Sequence, residues 1–394
     1  MRQQPEWIIV GAGFTGAVLA ERIASQLDEH VLIIDRRDHI GGNAHDEFDD
    51  QGLLVHRYGP HIFHTNAPRI WDYLSRFTDW RPYEHRVLGS IDGQLVPIPF
   101  NLNSLAALFP RRAAELERRL VHQFGEGARV PILDLRESAH SDLKALAEYV
   151  YENVFLGYTL KQWGLTPQEL DPGVTARVPV VISRDDRYFD DLYQAMPLDG
   201  YAPLFARLLE HPNIEVLLGT SFSEVQGSVR GRRVIYTGPI DEYFNYEYGH
   251  LPYRSLRFEF LTIDEEYHQP VGTVNYPNDH AYTRITEQKH ITGQAHQRTT
   301  LVTEYPRRHV ANETEPYYPI PRAENRALYA RYAEAASELP RGSVFFAGRL
   351  ADYRYYNMDQ AVGRALSLFD KVIAPLRADG VTAIAESPIG AIES

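Results

Sequence analysis

The sequence predicts an α/β fold: a parallel sheet assembled from separated stretches of chain, an inserted mainly helical domain and an antiparallel β-sheet domain. Three observations carry this. The chain opens on an apolar run, a glycine-rich turn, a helical stretch and a second apolar run. Helical periodicity in Leu, Ala, Tyr and Phe fills residues 104–123 and 141–164. Beyond residue 253, alternating runs rich in Val, Thr, Tyr and Phe replace it.

WIIV (Trp7–Val10) reads as a buried strand, residues 16–27 as a helix and VLIID (Val31–Asp35) as a second buried strand. Short unbroken apolar runs suit parallel strands covered on both faces. Between residues 86 and 100 two apolar runs flank Asp92-Gly93, a pair that tolerates the positive φ of a tight hairpin. Residues 165–179 (LTPQELDPGVTARVP) have no period, three prolines and a glycine. Long irregular loops of this kind are often functional. IEVLL and RRVIYTG restore strand character from 214 to 237, and residues 253–305 read as antiparallel sheet. SVFFAG (343–348) is another buried strand, leading through a Tyr-rich turn into a last helix over about 358–374 that Pro375 stops.

Composition sets the limits. A chain of 394 residues has room for two or three domains. Its 40 Lys and Arg against 53 Asp and Glu leave a net charge of -13, which disfavours nucleic acid and anionic membrane surfaces as partners. With no cysteine, disulfides, thiol nucleophiles, Fe–S clusters and thiolate zinc sites all drop out, which fits a reducing compartment. The apolar stretch 7–20 carries three glycines and runs into Glu21 and Arg22, so it is not read as a signal peptide. No stretch approaches the roughly 20 apolar residues of a membrane helix. A soluble cytoplasmic protein without stable membrane insertion is expected.

Gly11-Ala12-Gly13-Phe14-Thr15-Gly16 sits directly between strand and helix. Gly11 permits the turn, Gly13 lets backbone approach a pyrophosphate, and Gly16 lets helix pack on sheet, with the helix amino end facing the phosphates. Asp35 follows 19 residues after Gly16, where a carboxylate accepts ribose hydroxyls and repels a 2′-phosphate. NAD and FAD remain. Arg36-Arg37-Asp38-His39-Ile40-Gly41-Gly42-Asn43 adds a second glycine pair suited to a cofactor, and resembles FAD proteins with a glutathione-reductase-like cofactor domain. FAD therefore leads. The expected Rossmann-like FAD-binding domain is discontinuous: 5–83, 212–242 and 336–385. The helical domain covers 101–180. The antiparallel substrate domain takes 84–100, 181–211 and 243–335, and 386–394 is a flexible tail.

Two histidines, His61 and His64, fit either a structural role or a place beside the flavin; without a third ligand they do not make a zinc site, and no metal is expected. The 25 tyrosines cluster near arginines, including Arg177, Arg254, Arg284 and Arg349. Phenols and guanidinium forks together suit a diphosphate, and an aromatic such as Tyr158 or Trp163 suits stacking on a base or covering a sugar.

These segments resemble the bacterial UDP-galactopyranose mutase family: IIVGAGFTGAV, RRDHIGGNAHD, RYGPHIFHTN, GYTLKQWG, YTGPIDEYF, YRSLRFE, YTRITEQKH, EPYYPIP and GRLADYRYYNMDQ, in order from residue 7 to 375. The resemblance implies an isomerase that interconverts UDP-galactopyranose and UDP-galactofuranose through a covalent adduct of the sugar with N5 of reduced FAD. It further implies a cytoplasmic homodimer supplied by an external electron donor such as NAD(P)H. By position, Arg177 lies on a mobile loop (165–179) and clamps the diphosphate, with Arg284 across the pocket. Tyr188, Tyr318 and Tyr355 bind the diphosphate, Tyr158 stacks on uracil and Trp163 lies on the sugar side. Arg254 and Asn275 are further substrate-binding candidates. His64 stands beside the flavin. Phe14, Arg36, Gly42, Asn43, His61, Arg349, Asn357 and Met358 join the glycine turns as cofactor-binding candidates. Two positions depart from the family pattern: His85 stands where Asn is common, on the substrate side, and Asn357 where Asp is common. The rival reading is an FAD-dependent oxidoreductase of the amine-oxidase-like class, which explains the glycine turns but not the tyrosine–arginine clusters.

Overall fold

The unbroken apolar runs pair with one another. Trp7–Val10 lies between Val31–Asp35 and Arg233–Tyr236, with Ile214–Leu218 and Val344–Phe346 at the edges, all five parallel. Three stretches distant in sequence thus build one sheet. The computed structural model describes residues 5–171, 178–227, 232–311 and 313–378.

The Phe14–Leu27 helix is buried along nearly its whole surface, with Ala17, Val18, Leu19, Ala20 and Ile23 inaccessible to solvent. The sheet covers one side and the Met358–Leu368 helix, through Val362, Ala365 and Leu366, covers another. Burying each of the Val, Leu and Ile side chains contributes roughly 1.5–3 kcal/mol, which holds the helix on the sheet with its amino end at the carboxyl end of the Trp7–Val10 strand.

A seven-stranded sheet forms the second layer, in the order Tyr318–Pro319, Tyr253–Ile263, Thr299–Arg308, Arg284–Glu287, Thr273–Asn275, Val87–Ile91, Gln94–Ile98. It is antiparallel except where Thr273–Asn275 runs parallel to Val87–Ile91. The Asp92-Gly93 turn has φ of 49° and 75°, the conformation expected of this hairpin. Helices Leu102–Leu108, Ala113–Phe124, Ile132–Arg136 and Ser141–Val150 pack Leu105, Leu116, Leu120, Leu135 and Leu146 against Val87, Ile91 and Ile98 of the hairpin. A π turn, Tyr151–Leu156, carries the path into Gly157–Trp163.

One expected boundary fails. Helical structure does not stop at Pro375: a π turn over Phe369–Ile373 leads into Ala374–Ala378. Proline lacks an N–H, but in the first turn of a new helical segment none is required of it. The helices that were not anticipated include Pro68–Leu74, Tyr201–Leu208 and Ala323–Ser337, and Gln288–Thr292 interrupts the stretch read as antiparallel sheet. Among the described residues no helix is long and apolar enough to cross a membrane.

Candidate active site

Backbone geometry shapes the first cleft. Gly11 has φ +105° and a Cβ there would stand 2.1 Å from Thr237 Oγ1; one on Gly42 (φ +56°) would stand 3.0 Å from Gly13 Cα. Two glycine turns therefore touch through bare backbone beside the amino end of the Phe14–Leu27 helix. Asp35 closes the corner, its Oδ2 accepting from the Ala12 N–H (2.8 Å) and its Oδ1 from the Arg37 N–H (2.9 Å). Gly11, Gly13, Phe14, Gly16, Asp35, Arg36, Gly42, Asn43, His61, Arg349, Asn357 and Met358 all line one cleft of about 240 Å³. Arg36 donates to Glu315 (2.9 Å) and lies 3.8 Å from Glu242, so its charge is already countered. The opposite wall, Thr220 to Phe222 and Tyr236 to Pro239, was not anticipated. It lies just beyond two parallel strand ends, the place where such sheets bind ligands.

A second cavity, of about 530 Å³, adjoins the first; its lining includes His64, His85, Tyr158, Trp163, Tyr188, Asn275, Arg284, Tyr318 and Tyr355. The two share His61, Arg349, Asn357 and Met358. A group reaching the end of the first cleft would meet a molecule in the second there.

Arg284 is held in place by its neighbouring strand. It is the cross-strand partner of Glu304, and both Nε (3.0 Å) and Nη2 (2.8 Å) donate to Glu304 Oε2. The Glu304 side chain is only 2 % exposed, against 24 % for Arg284, which opens onto the cavity. This carboxylate, with burial opposing, pushes the Arg284 pKa well above the usual value. Glu304 was not anticipated; its one signal is a charge at an inward position of TTLVTEY. Burial raises the pKa values of the Tyr158 and Tyr318 phenols, so both remain donors at neutral pH. Trp163, Tyr318 and Tyr355 form a triangle of rings 5.1–6.0 Å apart. Arg349 lies 5.5 Å over Tyr318 and 5.6 Å over Tyr355 and donates to the Tyr356 carbonyl, which fixes the tyrosine turn.

Arg254 is placed elsewhere. Its Nε donates to the Gln162 carbonyl (2.8 Å) and its Nη2 to the Lys161 carbonyl (2.9 Å), satisfying the carboxyl end of the Gly157–Trp163 helix rather than facing the cavity. It supports Trp163 from behind. Arg177 and the tail 386–394 lie outside the described residues.

The three histidines line the same cavity but each takes a different partner. His61 Nδ1 donates to the Gly59 carbonyl (2.9 Å), while His64 Nδ1 bonds Asp191 (2.7 Å). His85 Nδ1 meets the Tyr83 hydroxyl at 3.1 Å. Among the described residues no three His, Cys, Asp or Glu side chains are grouped to hold a metal ion. Burial lowers the pKa of His56 and His85 to about 3 and of His61 to about 4, with neighbouring cations adding to the shift at His61 and His85. In the unfolded chain each titrates near 6.5, so the unfolded state binds more protons below that pH. Stability is therefore full above pH 6.5 and is lost as pH falls towards 4 and 3, by at most about 1.4 kcal/mol per pH unit for each histidine. Urea midpoints should drop over this window, and His56→Asn should flatten the slope.

Comparison with known proteins fits this geometry. A family model described as UDP-galactopyranose mutase matches residues 153–355, which span most of the second cavity, and an NAD(P)-binding Rossmann-like model matches 9–77, the glycine turns. A probable UDP-galactopyranose mutase of Klebsiella pneumoniae is 38% identical over 371 residues, covering 93% of this chain and 94% of that protein. The dTDP-fucopyranose mutase of Escherichia coli is 37% identical over 368 residues, covering 91% and 96%. A crystal structure of reduced UDP-galactopyranose mutase superposes with a TM-score of 0.71 at 16% identity, over 94% of this chain and 96% of that one, and so shares the fold. With that family model over half of its length and a relative 38% identical over 93% of it, the chain belongs to the UDP-galactopyranose mutase family.

Proposed function

We propose that the protein interconverts UDP-α-D-galactopyranose and UDP-α-D-galactofuranose, with FAD in its reduced state as cofactor. One observation carries this: the glycine-walled cleft and the arginine–tyrosine cavity meet at His61, Arg349, Asn357 and Met358. The residues present fit FAD. Gly11, Gly13 and Gly42 leave a cradle that any Cβ would fill, the helix amino end behind Phe14 suits a pyrophosphate, and Asp35 suits a ribose. Reduced flavin supplies a nucleophilic nitrogen for the anomeric carbon of a nucleotide sugar.

The chain's own residues bind, orient and stabilise charge. Arg284, aimed by Glu304, and the phenols of Tyr158, Tyr188, Tyr318 and Tyr355 favour the negative charge that gathers on a departing nucleoside diphosphate. Trp163 covers the sugar side. The neutral His85 offers a hydrogen-bonding ring where the family commonly has Asn, and Asn275 adds an amide. Arg177, outside the described residues, takes the role of diphosphate clamp that the family resemblance implies. Arg177→Ala should keep its flavin and lose most turnover; normal turnover would remove it from this role. A cytoplasmic homodimer served by a donor such as NAD(P)H belongs to the same reading.

The deciding experiment incubates dithionite-reduced protein with UDP-galactofuranose without oxygen and follows UDP-galactopyranose by chromatography, beside an oxidised control. Conversion in the reduced sample alone supports the proposal. A second reading keeps the reaction and changes the substrate: the fucopyranose mutase relative matches almost as well, so dTDP-fucofuranose is run in parallel. Net oxidation of a substrate with no isomerisation would favour the oxidoreductase class instead.

A further inference from the structure

We propose that Asp191 is the positioning residue for His64, and that the pair transfers the one proton that the change of sugar ring size requires. This rests on the mutase reading above. Closing a five-membered ring in place of a six-membered one breaks the bond between the anomeric carbon and O5 and makes one to O4. O5 gains a proton as it becomes a hydroxyl, and O4 loses one. One proton crosses and none is consumed, so a single base that takes it from one oxygen and returns it to the other suffices. The two oxygens sit on adjacent carbons, within reach of one fixed group.

The geometry provides that group. The Phe63–Thr65 strand pairs with Tyr193–Pro197, setting His64 opposite Gln194. That register brings Asp191, two residues before the second strand, to 2.7 Å from His64 Nδ1. A carboxylate offers only lone pairs here, so Nδ1 carries the proton and the neutral ring has its lone pair on Nε2. Among the described residues no protein group bonds that nitrogen, and His64 lines the cavity. The ring cannot readily turn away. It stacks on Phe189 with centroids 3.7 Å apart and planes 14° apart. Asp191 is anchored in turn: its carbonyl accepts from Gln194 Nε2 (3.0 Å), and the next residue, Leu192, donates its N–H to Asn66 Oδ1 (2.8 Å). His64 and Asp191 side chains are 13 % and 18 % exposed, so water competes little for the bond. A proton arriving at Nε2 makes an imidazolium that the carboxylate stabilises.

The test uses flavin-loaded protein with histidine labelled with heavy nitrogen, assigning His64 by difference from His64→Gln. In the wild type the NMR signature should place the His64 proton on Nδ1. In Asp191→Asn the amide can donate instead, so the Nε2–H tautomer should appear, with kcat falling on the order of 100-fold and KM nearly unchanged. The proposal is overturned if wild-type His64 carries its proton on Nε2, or if Asp191→Asn keeps wild-type kcat. Should that variant lose its flavin or its fold, the wild-type tautomer still decides. If the wild type isomerises neither nucleotide sugar, the mutase reading fails, whatever the tautomer.

Discussion

Gly16→Ala should purify without flavin and melt several degrees below the wild type. A Cβ at this position would lie 2.0 Å from the Gly11 carbonyl oxygen and 3.2 Å from Ile9 Cγ2. Neither neighbour is a flexible side-chain tip that can swing aside; one is backbone and the other a buried strand residue. The Phe14–Leu27 helix must therefore lift from the sheet. Alanine is the better helix former by about 1 kcal/mol, a gain that works against the clash. Overpacking of a dense core costs about 1–3 kcal/mol, and contact with rigid backbone lies at or above the top of that range. The net is a destabilisation of about 2 kcal/mol. The larger effect is on binding, because the displaced helix carries its amino-terminal amides away from the turn formed by Gly11 and Gly13. Visible flavin absorbance relative to protein, with a thermal melt, reads both effects. Gly227→Ala is the control: nothing lies within 4 Å of its added Cβ, so flavin and melting point should be retained. A flavin-loaded Gly16→Ala protein would show that helix contact is not what shapes the cradle.

That result rests on a feature fully legible in the sequence, and the reason is locality. The glycine turn, the two flanking strands and Asp35 lie within 29 residues, each set by its own conformational preference or by its immediate neighbour. The Asp92-Gly93 hairpin was legible for the same reason. Legibility fades where a role depends on distant register. Glu304 faces Arg284 only because two strands 20 residues apart in sequence pair as they do, and Asp191 reaches His64 across 127 residues. Arg254 shows the converse. An arginine among aromatics looks the same in sequence whether it faces a diphosphate or satisfies helix carbonyls, and only the packing places it on Lys161 and Gln162. The Ala323–Ser337 helix escaped because its inward stripe is thin, with only Asn325 and Tyr332 buried. Without an apolar period there was little to read.

Arg284→Ala should lose both turnover and stability, and the two losses can be separated. Among the described residues, removing the guanidinium strips the Glu304 carboxylate of its only cation at a site 2 % exposed, where its other oxygen, Oε1, already lacks a protein partner. An uncompensated buried charge costs about 3–5 kcal/mol. Glu304→Ala is the milder change, since Arg284 keeps its opening to the cavity and can draw on water or ligand. The double variant Arg284→Ala/Glu304→Ala removes the stranded charge together with its partner, so it should be more stable than Arg284→Ala alone. Urea unfolding of the four proteins should give a coupling of about 2–3 kcal/mol. Turnover follows another pattern, because the cation itself stabilises charge on the departing diphosphate. Arg284→Ala should lose about 100- to 1000-fold in kcat, and the double variant should recover none of it. Glu304→Ala should fall between, the guanidinium being present but no longer aimed. Stability regained without activity would assign Glu304 to holding Arg284 and Arg284 to the chemistry. If instead the double variant were no more stable than Arg284→Ala, the pair would not be energetically coupled, and Arg284 would owe its orientation to the cavity's tyrosines.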